Sequence, residues 1–162
     1  YYVVLGRLSA EKGVDGLLRI WPAHTRLAVV GDGPQRAELE AMADPAKVEF
    51  RGFVDQKTRD ALVRGARALI LPSITLEADP VVVAQALSAG TPVIAAHQTA
   101  SARMADAAHA VQSYSDGASL MKAMASVDAS SKSAARALYE RRWSEDAWIR
   151  GYEHIITGLV AN

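Results

Sequence analysis

The stretch ALILPSITLEADPVVVAQALSAGTPVIA, residues Ala68–Ala95, alternates between two patterns of apolar residues. Its ends, Ala68–Leu71 and Pro92–Ala95, are short apolar runs with the length of a buried strand. Between them, Val81–Ala89 has apolar residues at the three- and four-residue spacing of a helix face. A strand, a loop, a helix and a second strand in this order predict two parallel strands joined by a helical crossover.

The same alternation extends toward the N-terminus of the chain. Apolar, mostly β-branched runs predict three more strands, at Tyr1–Leu5, Leu27–Val30 and Val48–Phe50. Helical spacing predicts three more helices, at Val14–Trp21, Pro34–Ala43 and Lys57–Ala66. Because the strands are apolar throughout, we expect helices on both faces of the sheet. The predicted fold class is α/β, a single Rossmann-like doubly wound parallel sheet, which binds ligands at the carboxyl ends of its strands.

Beyond Ala95 this alternation weakens, and the sequence predicts helices alone. They are expected at Asp116–Val127, Ser131–Arg142 and Ser144–Ile156. The stretch Asp128–Ser133 has the composition of a linker. Ser144 is a candidate N-cap of the last helix, and Glu145 favours its first turn electrostatically. The chain begins inside a predicted strand and without Met, so we expect it to be part of a longer protein.

Composition and charge exclude several classes of protein. The 162 residues are 50 % hydrophobic and 22 % charged, which is typical of an ordered globular domain. A formal net charge of zero argues against a strongly basic surface for nucleic acid or membranes. The chain has no cysteine, which excludes disulfides and thiolate metal sites and favours a reducing compartment. No apolar run approaches the roughly 20 residues of a membrane span, and no signal peptide is recognisable.

The loop after the first predicted strand, GRLSAEKG at Gly6–Gly13, contains two cations, Arg7 and Lys12. At the ligand-binding edge of a parallel sheet, such a pair can bind a diphosphate, the guanidinium through two hydrogen bonds and the ammonium as a point charge. The residues alone leave open the alternative that both are ordinary surface cations on a solvated loop.

The loop after the second predicted strand is GDGP, Gly31–Pro34. A dinucleotide-binding fingerprint would need a third glycine at position 36, which is Arg36, so that fingerprint fails. The loop is then predicted to be a tight turn with Pro34 at the first helical position. Gly33 in such a turn also allows the backbone to approach a ligand closely.

The loop before the fourth predicted helix contains Glu77, and Pro80 fits the first helical position. Free amides near Asp79 and Val81 would then face the ligand edge of the sheet, where a helix N-terminus can bind phosphate. Glu77, just outside the helix, could accept hydrogen bonds from ligand hydroxyls or could merely complement the helix dipole. Gln85 lies about two turns further on, and its amide either faces the same crevice or lies on the helix surface.

Four motifs occur in order along the chain: Gly-Arg-Leu-Ser-x-Glu-Lys-Gly, Val-Val-Gly-Asp-Gly-Pro, Phe-x-Gly-Phe-Val, and Leu-Pro-Ser with Glu-x-x-Pro-x-Val and Gly-Thr-Pro-Val-Ile-Ala. Over Val3–Ala96 they resemble the C-terminal, nucleotide-sugar-binding half of the group 1 retaining glycosyltransferases with the GT-B fold. The resemblance implies a second Rossmann-like domain, N-terminal to this one, that binds the acceptor. It also implies that the helical tail, residues 144–162, packs toward that domain.

The resemblance assigns roles to the loop residues. Arg7 and Lys12 match the pair that neutralises the donor diphosphate as the sugar departs, and Gly6 lies beside them in the donor site. Glu77 matches the first Glu of the family's Glu-seven-residues-Glu motif and would contact donor-sugar hydroxyls. The backbone amides of Ala78–Val81 would meet the phosphates.

Phe53 and Val54 match the stretch that lines the base pocket, largely through backbone, and Gln85 occupies the second Glu position, where the family holds ribose hydroxyls. An amide there keeps an acceptor oxygen but loses the charge, so we expect weaker but not abolished donor binding. Ala78 and Asp79 also depart from the family pattern, and a carboxylate beside a diphosphate is unfavourable unless it is paired. No Asp-x-Asp occurs in the chain, in keeping with an enzyme that needs no metal and no cofactor.

The implied activity is transfer of a hexose from a nucleoside-diphosphate sugar to an acceptor glycan or glycolipid, in bacterial surface-polysaccharide or glycolipid synthesis. We expect a cytoplasmic enzyme that can associate peripherally with the inner face of the membrane, no nucleic-acid partner, and no transfer by this chain alone. Two alternatives stay open. One is a nucleotide-binding module without transferase activity, marked by Gln85 and Asp79; the other is a nucleotide-sugar epimerase of the same architecture.

Overall fold

The computed structural model describes residues 1–75, 81–104 and 109–160. These residues form one parallel sheet of six strands in the order β3-β2-β1-β4-β5-β6. The strands are β1 Tyr2–Leu5, β2 Leu27–Val30, β3 Val48–Gly52, β4 Leu69–Leu71, β5 Val93–Ala96 and β6 Val111–Tyr114. This is the strand order of a doubly wound Rossmann-like sheet, so the predicted fold class is confirmed.

Seven α-helices flank this sheet in the described ranges. They are α1 Val14–Ile20, α2 Arg36–Met42, α3 Gln56–Gly65, α4 Val81–Ser88, α5 Gly117–Ser126, α6 Ala129–Arg142 and α7 Glu145–Val160. Two short 3-10 helices, Ala10–Lys12 and Ala100–Met104, lie in the loops after β1 and β5. None of the helices in the described part of the chain is long and apolar enough to cross a membrane.

Alternate residues of the central strands point to opposite faces of the sheet, and each face has its own hydrophobic core. In β1, Tyr2 and Val4 pack on one side, while Val3 and Leu5 pack on the other. The first core includes buried residues of α1, α2 and α5, and the second includes buried residues of α3, α4 and α6. Full burial of one such aliphatic side chain is worth about 1.5–3 kcal/mol, so the two cores hold the strand ends in fixed positions.

The sixth strand was not predicted, and the expectation of helices alone beyond Ala95 is wrong. Val111 and Tyr114 are buried, whereas Gln112 and Ser113 are partly or fully exposed. This strand lies at the edge of the sheet beside β5, so it lacks the continuous apolar run of the central strands. The Gln112 amide is satisfied locally, because it donates to Ala123 O at 3.2 Å.

The predicted linker Asp128–Ser133 is also wrong, because this stretch begins α6. Asp128 is the N-cap: its Oδ1 accepts from Ser131 N at 3.0 Å, and Ser131 Oγ accepts from Asp128 N at 3.2 Å. This capping box satisfies two helix-end amides with side chains that sequence reasoning took for loop residues. The hydrogen bond from the Ser130 hydroxyl, together with those from Ser131, lowers the pKa of Asp128 to about 2.

Two other helix starts can be compared with expectation. Ser144 Oγ accepts a hydrogen bond from Ala147 N at 3.1 Å in the first turn of α7, which confirms Ser144 as its N-cap. Pro34 is not the first helical residue, because α2 begins at Arg36 after a turn. The difference arises because Gln35 N donates to Leu8 O at 3.0 Å, which ties the turn to the loop after β1.

Candidate functional site

The crevice of this fold lies between the carboxyl ends of β1 and β4, where the strand order reverses. The loops after β1 and β4 both border this crevice. A cavity of about 340 Å³ lies in this crevice, and we call it the central cavity. Its lining includes Gly6, Arg7, Lys12, Ser73 and Val81. The structure therefore brings both predicted cations to one cavity.

The loop that presents Arg7 and Lys12 is held by backbone contacts. Ile74 N, in the loop after β4, donates to Glu11 O at 3.0 Å. A Cβ atom added to Gly13, which has φ +64°, would lie 2.3 Å from Pro72 O, so only glycine permits this approach of the two loops. The cations thus project from a loop whose backbone is already fixed.

A carboxylate lies beside the two cations. Glu11 accepts a hydrogen bond from the Ser9 hydroxyl at 2.5 Å. That hydrogen bond is the largest of the effects that lower the pKa of Glu11, and the charges of Lys12 and Arg7 contribute to the shift. The anion is therefore retained at neutral pH and partly offsets the positive charge on the outer side of the loop.

The GDGP loop packs against the loop after β1. A Cβ atom on Gly31 would lie 1.9 Å from Gly6 O, and one on Gly33 would lie 2.4 Å from Leu8 O. Leu8 N donates to Asp32 O at 2.9 Å across the same contact. The close backbone approach at Gly33 is thus made to Leu8, and Gly33 does not line the central cavity. A role for Gly33 in donor binding stays a prediction.

A second cavity of about 520 Å³ continues the crevice toward β2 and β3, and we call it the lateral cavity. Gly6 and Arg7 line both cavities, so the two form one continuous groove. Phe53 and Val54, which follow β3, line the lateral cavity together with Gln85 of α4. The structure therefore brings three predicted residues of the base and ribose sites to the lining of one cavity.

One face of α4 is buried against the sheet, and another face lines the groove. Val83, Ala86 and Leu87 are buried and anchor the helix on the sheet. Val82 lines both cavities, and Gln85, three residues later on the same face, lines the lateral one. Gln85 is half-buried, so the structure favours a side chain in the crevice over one on the outer helix surface.

Four predicted site residues, Glu77, Ala78, Asp79 and Pro80, lie outside the described residues. Their assignments stay predictions. Val81, the first residue of α4, lines the central cavity and is largely exposed, so the helix begins at the cavity's edge.

The structure adds residues that sequence reasoning did not select. Gln56 and Arg59, on the first turns of α3, line the lateral cavity opposite Gln85. Asp55 caps this helix by accepting from Thr58 N at 2.7 Å, a hydrogen bond that is the main cause of its lowered pKa. The available signal was positional, because a helix that follows the third strand of such a sheet starts at the ligand edge.

The groove can hold an extended anionic ligand. Arg7 and Lys12 supply positive charge at its centre, where a diphosphate would be neutralised. The lateral cavity is bordered by an aromatic ring and amides, as suits a heterocycle joined to a sugar. In the described ranges no group of three or more His, Asp or Glu side chains is placed to hold a metal ion.

A family model and individual proteins of known sequence both match this chain. A family model described as "Glycosyl transferases group 1" matches residues 1–129. The gpi3 subunit of the phosphatidylinositol N-acetylglucosaminyltransferase of Schizosaccharomyces pombe is 36 % identical over 103 residues, which are 57 % of this chain and 22 % of that protein. A GDP-mannose-dependent phosphatidylinositol dimannoside mannosyltransferase of Mycobacterium tuberculosis is 30 % identical over 101 residues, covering 59 % of this chain and 26 % of that protein.

Among solved structures, Anabaena HepE, described in complex with UDP, superposes on 99 % of this chain with a TM-score of 0.75 at 18 % identity. The superposition covers 48 % of HepE, so the chain spans about half the length of that protein. This likeness shows the fold of one Rossmann-like half of a GT-B enzyme. With the family model matching most of its length, the chain belongs to the group 1 glycosyl transferases.

Proposed function

We propose that this chain is the donor-binding domain of a retaining glycosyltransferase that transfers a hexose from a nucleoside-diphosphate sugar to an acceptor glycan or glycolipid. The observation that supports this most directly is the groove itself, in which Arg7 and Lys12 meet Phe53 and Gln85 across two joined cavities. Family membership supports the same reaction class. The proposed setting is bacterial surface-polysaccharide or glycolipid synthesis on the cytoplasmic side of the membrane, with peripheral membrane association of the full-length enzyme.

In this proposal the central cavity holds the diphosphate. As the bond between the sugar and the diphosphate breaks, negative charge develops on the leaving oxygen, and Arg7 and Lys12 are placed to stabilise it. Two fixed cations can supply the neutralisation that other transferases obtain from a divalent ion, so we propose that the enzyme is metal-independent and needs no cofactor. The start of α4 at Val81 would add its backbone amides, and Glu77 would contact the sugar hydroxyls.

The lateral cavity would hold the nucleoside. Gln85 is half-buried on its wall and can offer its amide oxygen to one ribose hydroxyl. Phe53 and Val54 border the opposite end of the cavity, where the base would lie. Gly6 and Arg7 line both cavities, so the diphosphate and the nucleoside of one ligand would occupy adjoining spaces.

Release of nucleoside diphosphate from a panel of nucleotide-sugars tests the proposal directly. We expect the complete polypeptide to release it from one donor in the presence of acceptor, and this 162-residue chain to bind the donor without transfer. Transfer needs both reactants held in register, and the acceptor side would come from another domain. Binding without release by the complete polypeptide would instead identify a nucleotide-binding module, and conversion of the sugar without acceptor would identify an epimerase.

The exposed face of α7 supports the presence of that other domain. Trp148 is 66 % exposed and Tyr152 is 54 % exposed, and their rings stack with centroids 5.2 Å apart. Ile149 and Ile156 are also exposed on this helix. A row of large apolar side chains left open to water marks a contact surface, and the matched solved structures are about twice as long as this chain. We propose that α7 packs against an acceptor-binding domain.

Trp148→Asp is expected to affect stability very differently in the 162-residue chain and in the complete polypeptide. In the 162-residue chain the free energy of unfolding should change by no more than about 0.5 kcal/mol, because Trp148 lies on the surface. In the complete polypeptide the change should destabilise by about 2 kcal/mol or more, because it places a charge in a buried aromatic contact. Denaturant unfolding measures both, and Met121→Asp, at an exposed site on α5, is the matched control. Equal effects in both settings would contradict the proposed contact.

Gln85→Glu is expected to tighten binding of the bare nucleoside diphosphate about fivefold, equivalent to about 1 kcal/mol. A charged acceptor strengthens a hydrogen bond to the ribose by roughly that amount. Calorimetric titration of the 162-residue chain measures this without knowledge of the acceptor. Gln98→Glu makes the same chemical change at a residue that lines neither cavity and should leave the affinity unchanged. An unchanged affinity for Gln85→Glu would remove position 85 from the site.

A further inference from the structure

We propose that the lateral cavity selects a guanine nucleotide, with the ring of Phe53 covering one face of the base and the guanidinium of Arg59 donating to its O6 and N7 atoms. The proposal rests on the proposed function, since it assumes that this cavity holds the nucleoside of the donor. It goes further, because it names the base and assigns side-chain roles to two residues that the comparisons leave without one.

Burial in the core does not account for the position of Phe53. Its side chain is 89 % exposed, the highest value among the exposed large apolar side chains of the described residues. The turn that presents it is well fixed, since Gly52 has φ +63° and its carbonyl accepts from Gly31 N at 2.9 Å. An exposed ring on a fixed turn at the mouth of a cavity is a surface on which a flat heterocycle can stack. A purine would cover more of that ring than a pyrimidine.

Arg59 lines the same cavity from the second turn of α3. Its side chain is 32 % exposed and contacts Asp60 Oδ1 through Nε at 3.4 Å and Nη2 at 3.3 Å. These distances exceed the roughly 2.7–2.9 Å of a strong charge-assisted hydrogen bond. The ion pair with Asp60 is therefore loose, and the guanidinium can turn toward a base without losing a strong partner.

The chemistry of Arg59 favours one base over the others. A guanidinium has donors only, so it needs acceptors on the ligand. Guanine offers two adjacent acceptors, O6 and N7, which match the guanidinium fork, whereas adenine offers N7 beside an amine. Uracil offers isolated carbonyl oxygens on either side of an N–H group. Cytosine also has two adjacent acceptors, N3 and O2, but as a pyrimidine it covers less of the Phe53 ring than guanine does. Gln56, which also lines the cavity, has both donors and acceptors and adapts to any base, so Arg59 and Phe53 together decide.

Calorimetric titration of the 162-residue chain with GDP, UDP, ADP and CDP tests this inference. We expect GDP to bind about tenfold tighter than UDP, since one bidentate arginine–guanine pair gives discrimination of about that order. Arg59→Ala should lower GDP affinity about tenfold while leaving UDP affinity within about twofold, and Arg59→Lys should restore only part of the preference because an ammonium lacks the fork. Phe53→Ala should weaken all four nucleotides, with the larger loss for the purines.

Arg64→Ala is the charge-matched control, since Arg64 lies on the same helix but does not line the lateral cavity. It should leave the ratio of GDP to UDP affinity unchanged. Equal or tighter binding of UDP, or a loss on Arg59→Ala that is the same for GDP and UDP, would overturn the guanine assignment while leaving the donor site in place. If a thermal melt shows that the 162-residue chain is folded and none of the four nucleotides binds to it, the proposed function itself would be overturned.

Discussion

Arg7→Ala or Lys12→Ala in the complete enzyme is expected to lower turnover by about two to three orders of magnitude. This is the range for loss of one preorganised group that stabilises charge developing in the transition state. Both residues line the central cavity, where the diphosphate would leave. Steady-state kinetics with saturating donor measures the effect on kcat, and calorimetry with the bare diphosphate measures the smaller effect on binding.

The control for Arg7→Ala and Lys12→Ala is a cation that lies outside the groove. Arg19, exposed in the last turn of α1, lines neither cavity, so Arg19→Ala should keep wild-type turnover. The unfolding free energy of Arg7→Ala should stay within about 1 kcal/mol of wild type, because an exposed loop cation contributes little to folding. Wild-type turnover in both Arg7→Ala and Lys12→Ala would remove the diphosphate from the central cavity.

Gly31→Ala is expected to destabilise the chain by at least about 3 kcal/mol. The added Cβ would lie 1.9 Å from Gly6 O, an atom of fixed backbone, and alanine would be held at φ +135°. Strain in a region reserved for glycine costs about 1–3 kcal/mol before the clash is counted. For a chain of this length such a change lowers the unfolding temperature by roughly 6–12 °C or more, measurable by a thermal melt.

Gly16→Ala is expected to raise the unfolding temperature in the same thermal melt. Gly16 lies inside α1, and a Cβ there would meet no atom within 4 Å. Replacing a helix-interior glycine with alanine at an open position stabilises by about 0.5–1 kcal/mol. If Gly31→Ala melted at the wild-type temperature, the backbone contact between the loops after β1 and β2 would not exist in solution.

The sheet could be predicted because its central strands are continuously apolar. Helices cover both faces of β1, β2 and β4, so nearly every residue in them is buried and the pattern is unambiguous. Strand β6 was missed because an edge strand with Gln112 and Ser113 has no such pattern. The start of α6 was missed because Asp128 and its neighbouring serines have the composition of a loop, and only the capping geometry shows that they begin a helix.

Some residues of the candidate site could likewise be predicted from the sequence, and others could not. Arg7 and Lys12 could be assigned to a loop at the ligand edge because they follow a predicted strand, whereas the place of Gln85 in the donor site followed from the family resemblance. Arg59 was not selected, because the position of α3 after the third strand indicates only that this helix starts at the ligand edge and does not show that the Arg59 side chain lines the lateral cavity. The contact of Gly33 with Leu8 could not be predicted either, because it joins two loops that are far apart in the sequence.

The backbone bonds that join the loops after β1 and β2 to each other and to the end of β3 have a consequence for how this protein can be altered. Gly6 N donates to Val30 O at 3.1 Å, Leu8 N donates to Asp32 O at 2.9 Å, and Gly31 N donates to Gly52 O at 2.9 Å, so the two loops continue the hydrogen-bond ladder of the sheet. An insertion or deletion in either loop would shift the other out of register. Directed evolution of donor preference should therefore succeed by exchanging side chains on α3 and α4 at constant loop length, while loop grafting between relatives should yield misfolded protein.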